Sequence, residues 1–259
     1  MTVAPERIAG WLDRFAERHG PLTWTVRPEA VRALAADGAV ADCRVPFPPL
    51  AVSQLAVGGP PATALAAHAQ AARRVGVLLV RLGGYAAGVF DGERLVASKV
   101  GARQVHGRSA AGGWSQQRFA RRRDGQVREA LAAAADTAAG VLLPAVAGLD
   151  ALIVGGERRA VGQVLDDARL APLRALVTDP FLTVPDPRRR VLDDAPTAFR
   201  AIRVRVTEPD APADGSGRRA PAASDLGERH SGRDPGVQRL DLAGHRNPDQ
   251  QVTVLPDEP

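Results

Sequence analysis

Val75-Gly-Val-Leu-Leu-Val-Arg-Leu82, Gly83-Gly84, Tyr85-Ala-Ala-Gly-Val-Phe90, Asp91-Gly92 and Arg94-Leu-Val-Ala-Ser-Lys99 follow one another in this chain of 259 residues. The three apolar runs have strand length, and each is closed by residues that turn the chain. Gly83-Gly84 reverses the first into the second, and Asp91-Gly92 is a strong hairpin signal because both residues tolerate positive φ. The third strand is expected to run on towards Val105.

Working outward, residues 106–113 form a small-residue loop without apolar periodicity. From Ser115 a helical pattern passes through Phe119, Val127 and Leu131 to about Leu143, where Pro144 limits it. Gly125 costs that helix about 1 kcal/mol and could mark a bend. Beyond it, Ala151–Val154 reads as a buried strand, Arg158–Ala168 as a helix, Ala175–Val177 as a strand, Pro185–Leu192 as a helix and Phe199–Val206 as the last strand. A strand–helix–strand crossover from 151 to 177 predicts a parallel pair within a mixed sheet. Upstream, Ile8, Trp11, Leu12 and Phe15 recur at helical spacing over 5–18, with Pro5 in the first turn and Gly20-Pro21 as the stop. Leu22–Val26 alternates like a strand, Pro28 opens a helix to about Ala36, and Ala39–Val45 is a further strand. Prolines and glycines make 46–61 a connector, and the alanine-rich 62–74 is helical.

The predicted fold class is α/β (α+β), a mixed β-sheet flanked by helices. Three units follow: an N-terminal α/β extension with its connector over 1–61, a main domain over 62–207, and a tail over 208–259. The tail is poor in apolar clusters and rich in Pro, Gly, Asp, Arg and Ser. It cannot bury enough surface to offset its ordering entropy, so it is expected to be disordered.

Aromatics make up only 4% of the chain against 45% hydrophobic residues, so the core must be built from Ala, Val and Leu. The single cysteine, Cys43, excludes an intramolecular disulfide and a cysteine-based zinc finger, and suits a reducing compartment. The opening residues lack the apolar run of a signal peptide, and Arg, Asp or Gly interrupts every stretch approaching the ~20 apolar residues of a membrane span. A cytoplasmic protein without a membrane partner is expected. Net charge is +5, but the tail carries ten acids against six arginines, leaving +9 on residues 1–207. Lys99 to Arg128 hold eight basic residues against Asp124 alone. Such a field points to a polyanionic partner.

The usual catalytic constellations are missing. His19, His68, His106, His230 and His245 are scattered, so no metal set is expected, and no cofactor. There is no P-loop and no nucleophile elbow. Gly155-Gly156, between a strand and a helix, could hold an anion on helix N–H groups, although a plain turn suits it better. Asp166-Asp167 reads as a helix end and Asp193-Asp194 as a turn. One segment stands apart: Arg103, then His106-Gly-Arg108, then Gly112-Gly-Trp-Ser-Gln-Gln-Arg-Phe-Ala-Arg-Arg-Arg123. Gly112 and Gly113 allow close approach to another surface. Gln116 and Gln117 follow at a helix start, where free N–H groups point outward. Arg118, Arg121, Arg122 and Arg123 cover more than one helix face, and in the first turns they oppose the helix dipole, a cost that a bound phosphate backbone offsets.

Those residues resemble the central catalytic domain of eukaryotic and archaeal class-1 peptide-release factors, in which a basic Gly-Gly-Gln loop leads into a helix containing Arg-Phe-Ala-Arg. Here Arg118-Phe119-Ala120-Arg121 stands at the same distance from Gly112-Gly113. The Vms-like branch, whose loop reads Gly-Gly-Ser-Gln, is closer, and the chain resembles an actinobacterial Vms-like release factor of the peptidyl-tRNA hydrolase type. The resemblance covers roughly residues 75–195. Counted without gaps, Trp114 falls where a release factor has its glutamine and Ser115 where the Vms-like branch has it. A one-residue insertion at Trp114 restores the motif and makes Gln116 the catalytic glutamine, with Gln117 as the alternative.

The resemblance implies a release-factor-like catalytic domain acting on peptidyl-tRNA at the ribosomal large subunit. The glycines would let the loop enter the peptidyl-transferase centre while the glutamine orients water at the ester. Arg103, His106, Arg108, Trp114 and the helix arginines would bind tRNA or ribosomal RNA without reading sequence; no DNA partner is expected. No codon-reading motif is present, so no stop codon would be recognised. The same resemblance also admits phosphodiester cleavage near the tRNA 3′ end. Two readings of other classes stand beside it: a non-catalytic ribosome- or RNA-binding module, and a small-molecule enzyme at Gly155-Gly156.

Overall fold

The computed structural model describes residues 1–51, 60–81, 83–102, 115–209, 238–239 and 252–254, with residues 115–123, 238–239 and 252–254 given by backbone alone. Two sheets, each flanked by helices, make a mixed α/β fold. The strands are β1 (Thr2–Val3), β2 (Leu22–Arg27), β3 (Ala30–Ala35), β4 (Val40–Arg44), β5 (Arg74–Arg81), β6 (Gly84–Asp91), β7 (Arg94–Ala102), β8 (Ala151–Gly156), β9 (Val177–Leu182), β10 (Ile202–Thr207), β11 (Gln238–Arg239) and β12 (Val252–Val254).

The first sheet runs β1-β10-β4-β3-β2-β12-β11. Its strands alternate strictly: Trp24, Val26, Val31, Ala33, Ala41, Cys43, Ile202 and Val204 are buried, and their neighbours face outward. The buried side is covered by the helices Ile8–His19 and Pro61–Gln70, which contribute Ile8, Leu12, Phe15 and Leu65 to one core. Burial pushes the Cys43 thiol up to about 12, which leaves it an inert, small apolar side chain.

The second sheet runs β7-β6-β5-β8-β9. β5 and β8 lie parallel at its centre, with Val75 opposite Ala151 and Leu78 opposite Val154. Both are covered on two faces. Leu78, Val80, Leu152 and Val154 meet the long helix Ser115–Leu142 and the crossover helix Arg158–Leu165, whereas Val77, Leu79 and Ile153 meet Phe90, Leu192 and Phe199. β6 and β7 add antiparallel neighbours, the hairpin turning at Gly92 with φ +62°. The expected parallel crossover pair is present as β8 and β9.

Several segments differ from their sequence reading. The helix expected from Pro28 to Ala36 is strand β3, paired with β2 on one side and β4 on the other. Alanine, leucine and arginine favour helix locally, but Val31, Ala33 and Ala35 repeat with period two and fill the core, and that packing overrides propensity. The strand expected at Ala175–Val177 begins only at Val177 and runs to Leu182. It is an edge strand, where Pro180 deprives no neighbour of a hydrogen bond. The helix expected over Pro185–Leu192 forms at Arg189–Asp193, and Phe199 belongs to the helix Ala195–Arg200 rather than to the last strand. Asp124–Gly148 is, by length and apolar composition, a span that could cross a membrane, which the expectation of interrupted stretches did not allow. Its Ala134, Ala135, Ala138 and Leu142 are packed in the second sheet's core. Most of the tail lies outside the described residues; within it, β12 pairs parallel with β2 and β11 pairs with β12.

The packing also joins segments across the boundary read at 61/62. Pro61–Gln70 shares the first core, and β10 is an inner strand of the first sheet. At this junction the imidazole of His68, buried, donates from Nε2 to the carbonyls of Pro46 and Phe47 at 3.1 and 3.0 Å in the tautomer protonated there. Arg73 stacks 4.9 Å above the Phe47 ring and donates to the His68 carbonyl at 2.7 Å.

Burial pushes the His68 imidazole below its ordinary value, and the Arg73 cation adds to the shift against the Phe47 and Pro46 hydrogen bonds. The folded state therefore holds His68 neutral where the unfolded chain already binds a proton. That stability is present above the unfolded value of ~6.5 and is lost as pH falls below it. Urea midpoints measured from pH 7.5 to 5 should fall more steeply for the parent protein than for His68→Gln. Parallel profiles would mean that another group carries the acid sensitivity.

Candidate nucleic-acid interface

The basic segment is framed by two elements. β7, hydrogen-bonded to β6 on one side only, is an edge strand that ends at Ala102, and the long helix begins at Ser115. Arg103, His106, Arg108, Gly112, Gly113 and Trp114 lie between them and outside the described residues. Gln116, Gln117, Arg118, Arg121, Arg122 and Arg123 occupy the first turns of the helix, described by backbone. Gln116 and Gln117 fall within the first four helical residues, whose N–H groups have no partner inside the helix.

The helix is held at its far end. Among the helix's described side chains, burial begins at Ala130 and continues through Ala134, Ala138 and Leu142, a stripe with a four-residue step. These small side chains bring the helix close to Leu78, Val80, Ala87 and Val89 of β5 and β6. Between Asp124 and Glu129 every residue is half-buried or exposed. At 1.5 Å per residue, Ser115 stands ~22 Å along the axis from Ala130. Leu131, read as core, is partly buried against that cluster; Phe119 has no described side chain. Lys99 on β7 and Arg128 on the helix are exposed cations, the latter donating from Nε to the Asp124 carbonyl at 3.4 Å.

The helix is also tied sideways. Arg169 Nη2 donates to Asp136 on the helix at 2.8 Å and to Asp167 at 2.7 Å. Asp167 in turn accepts from the Arg169 backbone N–H at 3.0 Å and caps the short turn Ala168–Leu170. The side-chain bond from Arg169, followed by its backbone N–H, pulls the Asp167 carboxyl down to about 2. Asp166 thus ends one helix and Asp167 caps the next turn, and Asp193 pairs one helical turn away with Arg189 at 2.8 Å. Both pairs are structural. Among the described residues no three of His, Cys, Asp and Glu gather as a metal site. His19 pairs with Asp37 at 2.8 Å, while His106, His230 and His245 lie outside the described residues.

Gly155-Gly156 serves the backbone. Gly156 has φ +101°, and a Cβ there would stand 2.2 Å from the Val80 carbonyl oxygen. That oxygen accepts from the Glu157 N–H at 2.8 Å. Rather than the plain turn expected, the pair forms the end of β8, with Gly155 opposite Leu79 and Gly156 opposite Val80 of β5, ahead of the crossover helix.

Sequence reading missed a second set of basic residues. Arg27, Arg44, Arg203 and Arg205 are exposed and alternate with buried positions on β2, β4 and β10, so all four share the outer face of the first sheet. The period-two pattern was the available signal.

An edge strand and a long helix bracket a basic, glycine-containing segment, and the class of protein this defines is given by the family it matches. Residues 73–205 match the family described as the Actinobacteria/chloroflexi VLRF1 release factor. That is just over half of the chain, and the protein belongs to this release-factor family. Among solved structures, the crystal structure of the archaeal translation termination factor aRF1 aligns at 16% identity over 62% of this chain and 46% of that one, with a TM-score of 0.37. A structure titled archaeal protein aligns at 15% identity over 63% and 48%, with a TM-score of 0.36. The chain thus spans less than half the length of either. No curated protein matches it.

Replacing Gly156 by alanine should destabilise the fold by about 2 kcal/mol or more, from positive φ and contact with the Val80 carbonyl. Thermal unfolding should show a loss of ~4–8 °C. An unchanged melting temperature would contradict the tight approach of β8 to β5.

Proposed function

We propose that the protein is a peptidyl-tRNA hydrolase that frees nascent chains from tRNA on stalled ribosomes in the cytoplasm. The observation that carries this reading is the release-factor family match over 73–205, which spans the whole basic segment from Lys99 to Arg128. Gly112 and Gly113 give the segment its reach, and Gln116 at the start of the helix supplies an amide that both donates and accepts hydrogen bonds. The ester between peptide and tRNA is already activated. Orienting one water at its carbonyl carbon and bonding the developing oxyanion supply the acceleration, without a titrating base. Water adds to the carbonyl, the ribose oxygen leaves with a proton, and the products are a peptide carboxylic acid and a tRNA with a free 3′ end. Arg103, Arg108, Arg118, Arg121, Arg122 and Arg123 neutralise phosphates of ribosomal RNA and tRNA, His106 and Trp114 complete the RNA contact, and the large subunit is the docking partner. Gln117 is the next candidate should Gln116 prove dispensable.

The decisive measurement incubates purified protein with stalled peptidyl-tRNA complexes and follows both peptide release and the tRNA 3′ end. Gln116→Ala should slow release about 100-fold while ribosome binding stays at the parental level. An intact CCA end with freed peptide identifies ester hydrolysis. A shortened tRNA would replace this reading with phosphodiester cleavage, and binding without release would reduce the protein to an RNA-binding module.

A further inference from the structure

The first sheet has one face packed on its helices and one face open. On the open face, the register places Arg203 of β10 directly opposite Arg44 of β4, and Arg44 opposite Ala30, which is itself opposite Arg27 of β2. The next row holds Arg205, Asp42 and Arg32 on the same three successive strands β10, β4 and β3. Arg32 is committed to Asp42 by two bonds, the shorter 2.7 Å, and Arg203 reaches Asp179 only at 3.9 Å. The guanidinium groups of Arg27, Arg44 and Arg205 make no hydrogen bond or ion pair with any described residue. A trough of about 940 Å³ crosses this face, lined by Arg44, Arg203 and Arg205, with Glu29, Asp42 and Asp179 as its acids.

Like charges directly opposite on neighbouring strands destabilise a sheet. Arg44 and Arg203 carry that cost in the free protein, and an anion lying across them removes it. At a strand spacing of ~4.8 Å, Arg27 lies two strands, about 10 Å, beyond Arg44 in the same row. The exposed cations therefore form a line across the sheet rather than a single pocket. Thr23, Thr25 and Thr207 share the face and offer hydroxyls, a combination with arginine that suits phosphate oxygens. No aromatic ring is exposed among the face's described residues, since Trp24 points into the core, so bases have no stacking platform. Among the described residues the large exposed apolar side chains there are Leu34 and, at the edge of the trough, Met1, two separate side chains that fall short of the clustered apolar anchors a protein partner needs.

We infer that the outer face of the first sheet is a second RNA-binding surface, which grips the phosphate backbone of structured RNA through Arg27, Arg44, Arg203 and Arg205 and is separate from the glycine-containing segment. The inference stands on the sheet alone. Its test reads RNA affinity, so it succeeds or fails independently of the hydrolytic role of Gln116.

The test is fluorescence anisotropy with a labelled RNA hairpin, titrated over a range of potassium chloride concentrations. The triple variant Arg27→Gln/Arg44→Gln/Arg205→Gln should bind about tenfold more weakly at low salt, and its salt slope should be shallower by roughly two. Its loss should add to that of Arg121→Gln/Arg122→Gln/Arg123→Gln, because the two surfaces share no residue. Asp42→Asn removes the central acid, releases Arg32, and should tighten binding at least twofold. That single change supplies an answer even if the triple variant folds poorly. Unchanged affinity and slope in both variants, the outcome expected if the face instead meets an acidic protein, would overturn the inference.

Discussion

The close packing of alanines on the long helix against β5 and β6 is the constraint from which the rest of the second sheet follows. Ala134 and Ala138 project so little that the helix lies close on strands whose own facing side chains are small, such as Ala87. A chain with few aromatics has to build its core this way, by closeness rather than by bulk. Because this contact fixes the C-terminal half of the helix, it acts as a mount for the whole element, whose first turns carry Gln116 and the arginine run.

Legibility in the sequence followed the strength of local signals. β5, β6 and β7 were readable because apolar runs of strand length alternate with glycine turns, and the register at Gly92 needs no long-range information. The long helix was readable from Ser115 because its apolar positions keep helical spacing and Pro144 ends it. β3 was not, because Ala33, Leu34 and Ala35 favour helix, and only pairing with β2 and β4 makes a strand the better choice. β9 lies further along than its local pattern indicates, at Val177–Leu182, because an edge position accommodates Pro180. The candidate site residues were recognisable as motif and charge, whereas the arginines of the first sheet showed only in the period-two alternation of their separate strands, which does not reveal that they gather. They come from β2, β4 and β10, and only the fold brings Arg44 beside Arg203.

The two basic regions differ physically. Near the long helix, arginines are crowded in sequence, and their field is local. On the first sheet they stand singly in sequence, next to apolar residues such as Val26, Val45, Val204 and Val206, and the strand order gathers them. Charge density along the chain therefore reports only the first kind. Asp42 tempers the second, engaging Arg32 and leaving Arg44 and Arg205 exposed.

β10 has a consequence of a different kind. It is the inner strand that joins β1 to β4, although nearly the whole second sheet is built from the chain between β4 and β10. During synthesis, the N-terminal residues must wait with their sheet incomplete until Thr207 has emerged. By then the second sheet already has all its strands. The first part of the chain to be made is thus among the last to close, and non-local closure of this sort is slow.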